Sequence, residues 1–243
     1  MAEWRDLDGA VVAITGASSG IGAATARELV SAGARVVVTA RREQRLKDLC
    51  DELGHDTSVA LVGDIREPAV SERLVKLAVD RFGTLDSLVA NAGAGMYGGI
   101  LDHDDATLAA MVQTNLLGTV WPIRSAVREF RRRSGGDVVI VASVAGFRGD
   151  SNEAVYAATK FAQIGLAGSL DREVRTEGIR VTAVCPAGVN TEFALGVGRS
   201  VGDPDLDQML QPADVAAAIL TVLRQPRRLR TSAWTIYSMS EGS

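Results

Sequence analysis

The chain has 243 residues, with 26 lysines and arginines against 30 aspartates and glutamates, and a net charge of −4 at pH 7. Hydrophobic residues make up 47% and charged residues 23%, which are proportions of an ordinary globular protein and exclude disordered and fibrous classes. The mild acidity argues against nucleic acid as a partner, because binding a polyanion needs a positive surface. At this length we expect one α/β domain over residues 1–243.

The cysteines and histidines lack the spacing of a metal site. Cys50 and Cys185 form no C-x-x-C pair and are predicted to be buried thiols, and His55 and His103 have no second ligand at a suitable spacing. We therefore expect no metal and no disulfide framework. The N-terminus carries acidic residues where a signal peptide would be basic and then apolar, and no apolar run is long enough to cross a membrane. The sequence thus favours a cytoplasmic protein with no membrane partner.

Short apolar runs alternate with longer helical patterns along the chain, which predicts βαβ units on a parallel sheet. The expected fold is a Rossmann-type, doubly wound α/β sheet of about seven parallel strands with helices on both faces. A glycine-containing stretch at about 192–211 is expected to be a mobile substrate loop. The predicted strands are 10–15, 35–39, 58–62, 87–90, 137–142, 180–185 and 234–237. The predicted helices are 20–32, 43–53, 67–82, 106–133, 153–177 and 212–224.

A glycine-rich turn follows the first predicted strand. It reads Thr15-Gly16-Ala17-Ser18-Ser19-Gly20-Ile21-Gly22 and leads into a helical pattern. The free N–H groups and the positive dipole end of such a helix can hold a pyrophosphate. A tight connection with no ligand is the alternative interpretation of the glycines alone, but their position directly after the first strand favours a dinucleotide site.

Two arginines follow the second predicted strand, about 20 residues after the glycines, where dinucleotide enzymes place an acid for NAD or a base for NADP. This chain has Ala40, Arg41 and Arg42. With no carboxylate at Ala40, the two guanidinium groups can hold a 2′-phosphate, and nothing is expected to repel it. Solvated arginines before a helix are the alternative, but cations are disfavoured at a helix N-terminus. The sequence therefore predicts NADP(H) as the cofactor.

Tyr156 and Lys160 stand four residues apart on a predicted helix, so their side chains share one face. A nearby ammonium group is expected to lower the tyrosine pKa, which would make the phenol a usable acid and base near neutral pH. Ser143 follows a predicted strand at the carboxyl edge, where ligands bind in open α/β sheets. Each residue alone also fits a simpler interpretation, a chance helical pair or a helix cap. Their combination points to catalysis.

Together these motifs resemble the short-chain dehydrogenase/reductase family, in its compact single-domain branch. Residues 15–22 match the family motif T-G-x-x-x-G-x-G, Asp64-Ile65 its adenine-side dipeptide, and Asn91-Ala92-Gly93 its N-A-G after strand four. The resemblance covers nearly the whole chain. The residues that match the catalytic tetrad of the family are Asn115, Ser143, Tyr156 and Lys160.

The resemblance implies a role for each of these residues. Tyr156 would protonate a carbonyl oxygen, and Ser143 would hold that oxygen by a hydrogen bond. Lys160 would bond the nicotinamide ribose and lower the Tyr156 pKa, while Asn115 would hold a water that links Lys160 to solvent. The implied cofactor-binding residues are Gly16, Ser18, Ser19, Gly20, Ile21, Gly22, Arg41, Arg42, Asp64, Ile65, Asn91, Ala92, Gly93, Tyr156, Lys160, Pro186, Gly188, Val189 and Thr191.

Two motifs depart from the family pattern. The usual P-G-x-V-x-T runs Pro186-Ala187-Gly188-Val189-Asn190-Thr191 here, so its glycine is displaced by one place. The usual N-N-A-G begins with Ala90 instead of asparagine, which removes a side-chain amide whose implied role is mostly structural. Catalysis is expected to survive both changes.

The implied function is an NADP(H)-dependent oxidoreductase that interconverts a ketone or aldehyde and the corresponding alcohol. Acyl-carrier-protein ketoreductases of the family commonly end in a Gly-Gln strand followed by Asp-Gly-Gly. Residues 231–240 read Thr-Ser-Ala-Trp-Thr-Ile-Tyr-Ser-Met-Ser instead, an ending more like that of NADP-dependent hydroxy-acid, serine and aldehyde dehydrogenases. A 3-oxoacyl-thioester reductase, a non-catalytic NADP-sensing regulator and a relative that dehydrates or epimerises its substrate stay as alternatives.

The substrate pocket is expected between residues 93–100, 145–153 and 192–211. An apolar wall with few fixed cations favours a neutral carbonyl compound, because a carboxylate buried without a partner would lose its hydration. The expected wall residues are Met96, Tyr97 and Phe147, with charge confined to Arg148, Asp150 and Glu153.

The two longest predicted helices carry more apolar side chains than one side of a sheet can cover. In the family these helices pack against their symmetry mates, so the resemblance implies a homodimer or a homotetramer. The side chains on which this expectation rests are Leu108, Met111, Phe161, Ile164, Leu166 and Leu170.

Overall fold

The structure, a computed structural model, describes residues 4–200 and 202–240. In this part of the chain seven parallel strands form one sheet in the order β3-β2-β1-β4-β5-β6-β7. The strands are β1 Val11–Thr15, β2 Arg35–Ala40, β3 Ser58–Val62, β4 Ser87–Ala90, β5 Gly136–Val141, β6 Ile179–Pro186 and β7 Ala233–Ile236. The α-helices are α1 Gly20–Ser31, α2 Glu43–Leu53, α3 Pro68–Phe82, α4 Asp105–Val112, α5 Gly118–Arg132, α6 Ala154–Val174 and α7 Pro212–Arg224.

Helices cover both faces of the sheet, which confirms the predicted doubly wound Rossmann-type fold. Alternate residues of β1 face opposite cores: Val12 and Ile14 pack in one, Val11 and Ala13 in the other. Strands covered on both faces are mostly apolar, and β1 is buried along its whole length. The chain runs from β1 out to β3 and returns to β4 beside β1. This reversal opens a crevice at the carboxyl ends of the strands, the usual ligand position in such sheets.

Both long helices differ from their predicted extents. The predicted helix 106–133 is interrupted, because a π-helical turn spans Gln113–Leu117 between α4 and α5. Such a turn inserts one extra residue and frequently marks a functional site, but hydrophobic periodicity does not reveal it. The predicted helix 153–177 is α6 followed by a 3₁₀ turn, Arg175–Glu177. Among the described residues, no helix has the length and apolarity needed to cross a membrane.

A buried cluster of charges lies at the amino edge of the sheet. The Asp137 carboxylate accepts hydrogen bonds from Arg180 Nε at 2.6 Å, Arg5 Nη1 at 2.8 Å and Arg227 Nη1 at 3.3 Å. Asp137 is only 2% exposed, and a buried carboxylate is stable only when it is paired. This group, called the Asp137 cluster below, ties both ends of the chain to the sheet. The sequence analysis did not identify it.

The segment predicted as a mobile loop, residues 192–211, is folded onto its neighbours, apart from Val201, which lies outside the described residues. Tyr97 N donates a hydrogen bond to Val197 O at 2.8 Å. A 3₁₀ turn follows at Pro204–Gln208. The segment therefore covers one side of the crevice, and its mobility stays a prediction.

Candidate active site

A cavity of about 750 Å³ opens at the carboxyl edge of the sheet. It lies where the chain reverses direction between β1 and β4. The residues that follow β1, β2, β4, β5 and β6 line it, together with side chains from α6. A volume of this size is typical of small-molecule and cofactor sites.

The chain turns from β1 into α1 by a conformation that only glycine permits. Gly16 has a φ of +69°, and a Cβ there would lie 2.7 Å from Ala92 Cα. A Cβ on Gly22 would lie 2.5 Å from the Gly16 oxygen. Helix α1 then begins at Gly20 with no acidic residue in its first turn and no side-chain cap from Ser19. Its first N–H groups are therefore available to a bound anion.

Hydrogen bonds between the ends of β1 and β4 hold this turn in place. Thr15 Oγ1 accepts from the main-chain nitrogens of Asn91 and Ala92, both at 3.0 Å. The Asn91 amide donates to the main-chain oxygen of Thr15 at 3.0 Å and of Gly16 at 3.3 Å. Asn91 thus positions the glycine turn through the backbone.

The arginines after β2 meet a carboxylate that is remote in sequence. Arg42 donates to Ser18 Oγ at 2.9 Å, to Ser19 Oγ at 2.5 Å and to Glu192 Oε2 at 2.7 Å. Arg45 donates to Glu192 Oε1 at 2.6 Å. These two guanidinium groups hold the pKa of Glu192 below its usual value. The expectation that nothing here would repel a 2′-phosphate is therefore wrong, because folding places Glu192 against Arg42.

Arg41 and the Asp64-Ile65 pair line the same part of the cavity. Arg66 Nε and Nη2 donate to Asp64 Oδ2 at 2.9 and 2.6 Å. This hydrogen bonding, with a smaller contribution from the Arg41 charge, lowers the pKa of Asp64. Asp64 is therefore a fixed, ionised acceptor, and Arg41 is the arginine at this end that lines the cavity without a hydrogen bond to a described residue.

Tyr156 and Lys160 both line the cavity from α6, with Lys160 Nζ 5.6 Å from the centre of the Tyr156 ring. Burial raises the pKa of Tyr156 above its usual value, and a hydrogen-bonding interaction with Ser143 only partly opposes this rise. Burial also lowers the pKa of Lys160 to about 8. Desolvation of the phenolate is the largest influence on the Tyr156 pKa, and the predicted lowering of this pKa by Lys160 stays a prediction.

Ser143 is both a cap and a cavity residue. Its Oγ accepts a hydrogen bond from Ala145 N at 3.1 Å and so caps the 3₁₀ turn Val144–Gly146. The same hydroxyl donates to Pro186 O at 3.4 Å, which is a long hydrogen bond. The hydroxyl proton can therefore be turned towards a ligand at little cost.

Lys160 is held by a residue that the sequence analysis did not single out. Lys160 Nζ donates to Gln163 Oε1 at 2.9 Å and to Val141 O at 3.2 Å. Gln163 Nε2 in turn donates to the main-chain oxygen of Asn115 and to Thr119 Oγ1, both at 2.8 Å. The signal available in the sequence was an amide three residues after Lys160, at a buried position of the same helix.

Asn115 lies in the π-helical turn, behind the cavity wall. Its side chain accepts from Ala94 N at 2.7 Å and donates to Ala94 O at 2.8 Å and to Thr159 Oγ1 at 3.0 Å. Its main-chain oxygen accepts from both Gln163 Nε2 and Thr119 Oγ1. Both lone pairs of this carbonyl oxygen therefore have donors from the chain, and the water that the resemblance implies at Asn115 stays a prediction.

The segment after β6 forms an aromatic and cationic wall. The Phe193 ring packs on Tyr156 with 5.5 Å between ring centres. The Arg199 guanidinium lies 5.9 Å from the Phe193 ring centre and 6.0 Å from that of Tyr97. Its Nη1 donates to Val189 O at 2.8 Å. A cation is thus fixed at the wall by two rings and a carbonyl.

This wall differs from the apolar one that the sequence predicted. Tyr97 lines the cavity as expected, whereas Met96 and Phe147 do not. Charge is not confined to residues 148–153, because Arg199 also lines the cavity. Loop residues carry no periodic signal, so their directions could not be predicted.

The displaced glycine motif after β6 is anchored by backbone hydrogen bonds. Ala187 N donates to Ile236 O at 2.8 Å, and Gly188 O accepts from Leu210 N at 3.0 Å. The Thr191 side chain reaches α1, where a Cβ on Gly20 would lie 3.1 Å from its Cγ2. The motif therefore still lies against the glycine turn.

The structure brings most of the predicted site residues together at the cavity. Gly22 packs beneath the turn and Asn115 lies behind the wall, and neither lines the cavity. The roles of all these residues stay predictions. The predicted residues that line the cavity are Gly16, Ser18, Ser19, Gly20, Ile21, Arg41, Arg42, Asp64, Ile65, Asn91, Ala92, Gly93, Ser143, Tyr156, Lys160, Pro186, Gly188, Val189 and Thr191.

A doubly wound sheet with a glycine turn at its switch point is typical of dinucleotide-binding α/β proteins. Residues 10–200 match the family model of the short chain dehydrogenase, and the chain belongs to this family of oxidoreductases. An uncharacterised oxidoreductase of Staphylococcus epidermidis is 31% identical over 226 residues, which cover 93% of this chain and 96% of that protein.

Two solved structures are similar over nearly their whole length. The closed form of a serine dehydrogenase complexed with NADP⁺ has a TM-score of 0.89 and 26% identity, with 96% of each chain covered. A 3-ketoacyl-(acyl-carrier-protein) reductase from Brucella melitensis complexed with NADH has a TM-score of 0.87 and 29% identity, with 95% of this chain and 98% of that chain covered.

Proposed function

We propose that the protein is an NADP(H)-dependent oxidoreductase that interconverts a ketone or aldehyde and the corresponding alcohol. The observation that carries the proposal is the meeting of Ser143, Tyr156 and Lys160 with the glycine turn at one cavity. The two solved relatives hold NADP⁺ and NADH, which supports a nicotinamide cofactor for this chain as well.

The residues of the cavity suit such a cofactor. When bound, the nicotinamide group supplies or accepts the hydride. The open N–H groups of α1 would hold the pyrophosphate, Arg41 and Arg42 the 2′-phosphate, and Lys160 the ribose. A phosphate at Arg42 must displace the Glu192 carboxylate from that guanidinium, whereas Arg41 requires no such exchange. Arg41 is therefore the main determinant of the preference for NADP(H).

Tyr156 would donate the proton in the reductive direction. Its raised pKa keeps the phenol protonated at neutral pH, so the acid form is available when the carbonyl oxygen gains negative charge. Ser143 would donate a second hydrogen bond to that oxygen. Lys160, with a pKa near 8, is mostly charged at neutral pH and would stabilise the phenolate left by proton transfer. Because reduction consumes a proton, the equilibrium moves towards the alcohol as the pH falls.

A panel of carbonyl compounds assayed by NADPH absorbance tests the proposal. Wild-type protein should consume NADPH with at least one ketone or aldehyde. Tyr156→Phe should abolish turnover while NADPH still binds, because the ring stays and only the proton donor is lost. Tyr237→Phe is the matched control: Tyr237 also lines the cavity but lies on the segment after β7, and its loss should leave turnover.

Three outcomes would contradict the proposal. NADPH binding without consumption of any compound would favour the non-catalytic regulator. Turnover with 3-oxoacyl thioesters alone would favour the acyl-carrier-protein reductase. A Tyr156→Phe variant that keeps a tenth of the wild-type kcat would show that Tyr156 is not the acid.

We also propose a homodimer or homotetramer. Of the side chains that suggested it, Met111 and Leu170 are buried within the chain, whereas Phe161 on α6 is 46% exposed. Val112, just before the π-helical turn, and Leu117, the last residue of that turn, are exposed as well. These apolar groups would be covered by a second copy. Light scattering that gave a mass near 25.6 kDa at micromolar concentration would contradict assembly.

A further inference from the structure

Arg199 is held by several contacts beside the residues proposed for catalysis. Its guanidinium contacts the rings of both Tyr97 and Phe193 and donates one hydrogen bond, to Val189 O. The preceding residue passes so close to Tyr97 that a Cβ on Gly198 would lie 2.5 Å from Tyr97 Cβ. Cation–π contacts and this close backbone approach therefore fix the position of the charge.

The guanidinium groups near the cavity differ in their pairing: Arg41, Arg148 and Arg199 line it without an ion pair to a described residue. Arg42, Arg45 and Arg66 each form an ion pair with a carboxylate. Among the described residues no carboxylate lies within ion-pair distance of Arg199, and its Nε and second Nη have no hydrogen-bond partner there. A half-buried guanidinium has five N–H donors. An anion from outside the chain would satisfy those that remain.

We propose that Arg199 binds the carboxylate of the substrate, so that the site acts on oxo acids and hydroxy acids. This inference rests on the proposed oxidoreductase function and names its substrate class. The planar guanidinium can hold both oxygens of a carboxylate at once. Phe193 contacts both Arg199 and Tyr156, so a carboxylate at Arg199 places the rest of a small molecule near the Tyr156 hydroxyl.

A negative charge, that of Glu153, also lies near Tyr156, but it does not pair with Arg199. Glu153 and Arg199 shift the Tyr156 pKa in opposite directions, Glu153 upwards and Arg199 downwards. The Glu153 carboxylate accepts a hydrogen bond from Asp150 N at 2.8 Å, within the turn that precedes α6. The positive charge thus belongs to the aromatic wall, and the negative charge to the turn before the helix. A substrate carboxylate is directed to the wall.

Matched acids and esters test the inference. The wild type and variants are assayed with NADPH and pyruvate, acetoacetate or levulinate, each beside its methyl ester. For at least one pair, wild-type kcat/KM should favour the acid by roughly ten- to a hundredfold, as expected for a charge-assisted hydrogen bond. Arg199→Met should remove this preference by lowering kcat/KM for the acid, and Arg199→Lys should keep part of it.

Control variants separate this inference from the proposed function. Arg148 also lines the cavity but is exposed and contacts neither ring, so Arg148→Met should keep the wild-type ratio of acid to ester. Methionine at position 199 can still pack against the rings, and reduction of the ester should continue. Equal loss of acid and ester activity in Arg199→Met, or wild-type activity that favours esters, would overturn the assignment of Arg199 to a substrate carboxylate. The proposed oxidoreductase function would still stand. Failure of the wild type to reduce any acid, ester or neutral carbonyl would overturn the oxidoreductase function.

Discussion

The two ends of β5 bury polar groups in different ways. At the amino end, both oxygens of Asp137 are bonded to arginines in the Asp137 cluster. Just past the carboxyl end, Ser143 donates only one long hydrogen bond, and the neighbouring Tyr156 and Lys160 face a cavity with pKa values shifted by burial.

This difference separates stability from chemistry along one strand. A buried carboxylate such as Asp137, whose two oxygens both have partners, stabilises the fold and has nothing left to bind, whereas an incompletely bonded group with a shifted pKa can act on a ligand. We therefore expect substitutions at the amino edge to change the free energy of unfolding, and substitutions at the carboxyl edge to change binding and turnover.

The largest effect on stability is expected from Asp137→Ala. Removing the carboxylate leaves three guanidinium groups close together, one of them buried, and should lower the free energy of unfolding by about 3–5 kcal/mol. Chemical denaturation measures this loss. Asp80→Ala, which breaks the exposed pair with Lys76 on α3, should cost less than about 1 kcal/mol. An Asp137 variant that kept its stability but lost NADPH binding would break the distinction between the two edges.

Lys160 is expected to lower stability in a pH-dependent way. Its pKa falls from 10.5 to about 8 on folding, so between these pH values the unfolded chain binds more protons than the folded one. Stability of the wild type relative to Lys160→Met should therefore rise with pH over this window, by about 3 kcal/mol in total. Urea denaturation of the protein without cofactor, from pH 7.5 to 10.5, measures the difference.

The exposed Lys47 on α2 provides the control for that experiment. Lys47→Met should show no such change relative to the wild type, since its ammonium stays in water. If the Lys160→Met and wild-type curves ran parallel, Lys160 would not be desolvated, and the contrast between the two edges would be weaker than the structure indicates.

Cofactor preference should respond to Arg41 and Glu192 in opposite directions. Arg41→Ala removes a charge-assisted contact worth roughly 1.5–3 kcal/mol that only a 2′-phosphate can use, so the preference for NADPH over NADH should fall by one to two decades. Glu192→Gln removes a competing carboxylate from Arg42 and should tighten NADPH binding. Fluorescence titration with both cofactors measures each effect. If Arg41→Ala weakened the binding of NADPH and NADH equally, Arg41 would support the fold and would not bind the 2′-phosphate.

The smallest effect is expected at the segment 192–211, which covers the cavity. Arg199 is its single lysine or arginine, so trypsin can cut this segment only there. Cleavage should be slowed by NADPH together with a substrate, because the segment closes over both. Sites at Arg227 and Arg228, on the amino side of the sheet, serve as an internal control and should be cut at an unchanged rate. Equal cleavage at Arg199 with and without ligands would contradict a mobile lid.

The sequence by itself determined the sheet, the glycine turn and the group of Ser143, Tyr156 and Lys160. These depend on local rules: β-branched runs form strands, only glycine permits the turn at Gly16, and side chains four residues apart share a helix face. Such rules act over a few neighbouring residues, so they can be applied to the sequence directly, and each predicted strand end lies within one residue of the observed end.

Only the tertiary structure decided which distant side chains meet. Glu192 forms an ion pair with Arg42, and Arg199 lines the cavity. Gln163 donates a hydrogen bond to the main-chain oxygen of Asn115. Asp137 accepts hydrogen bonds from Arg5 and Arg227, near opposite ends of the chain. Each pairing joins segments without periodicity or crosses between elements, so no local rule predicts it. The physical reason is that burial and charge pairing depend on distance in space, which the order of residues along the chain does not give.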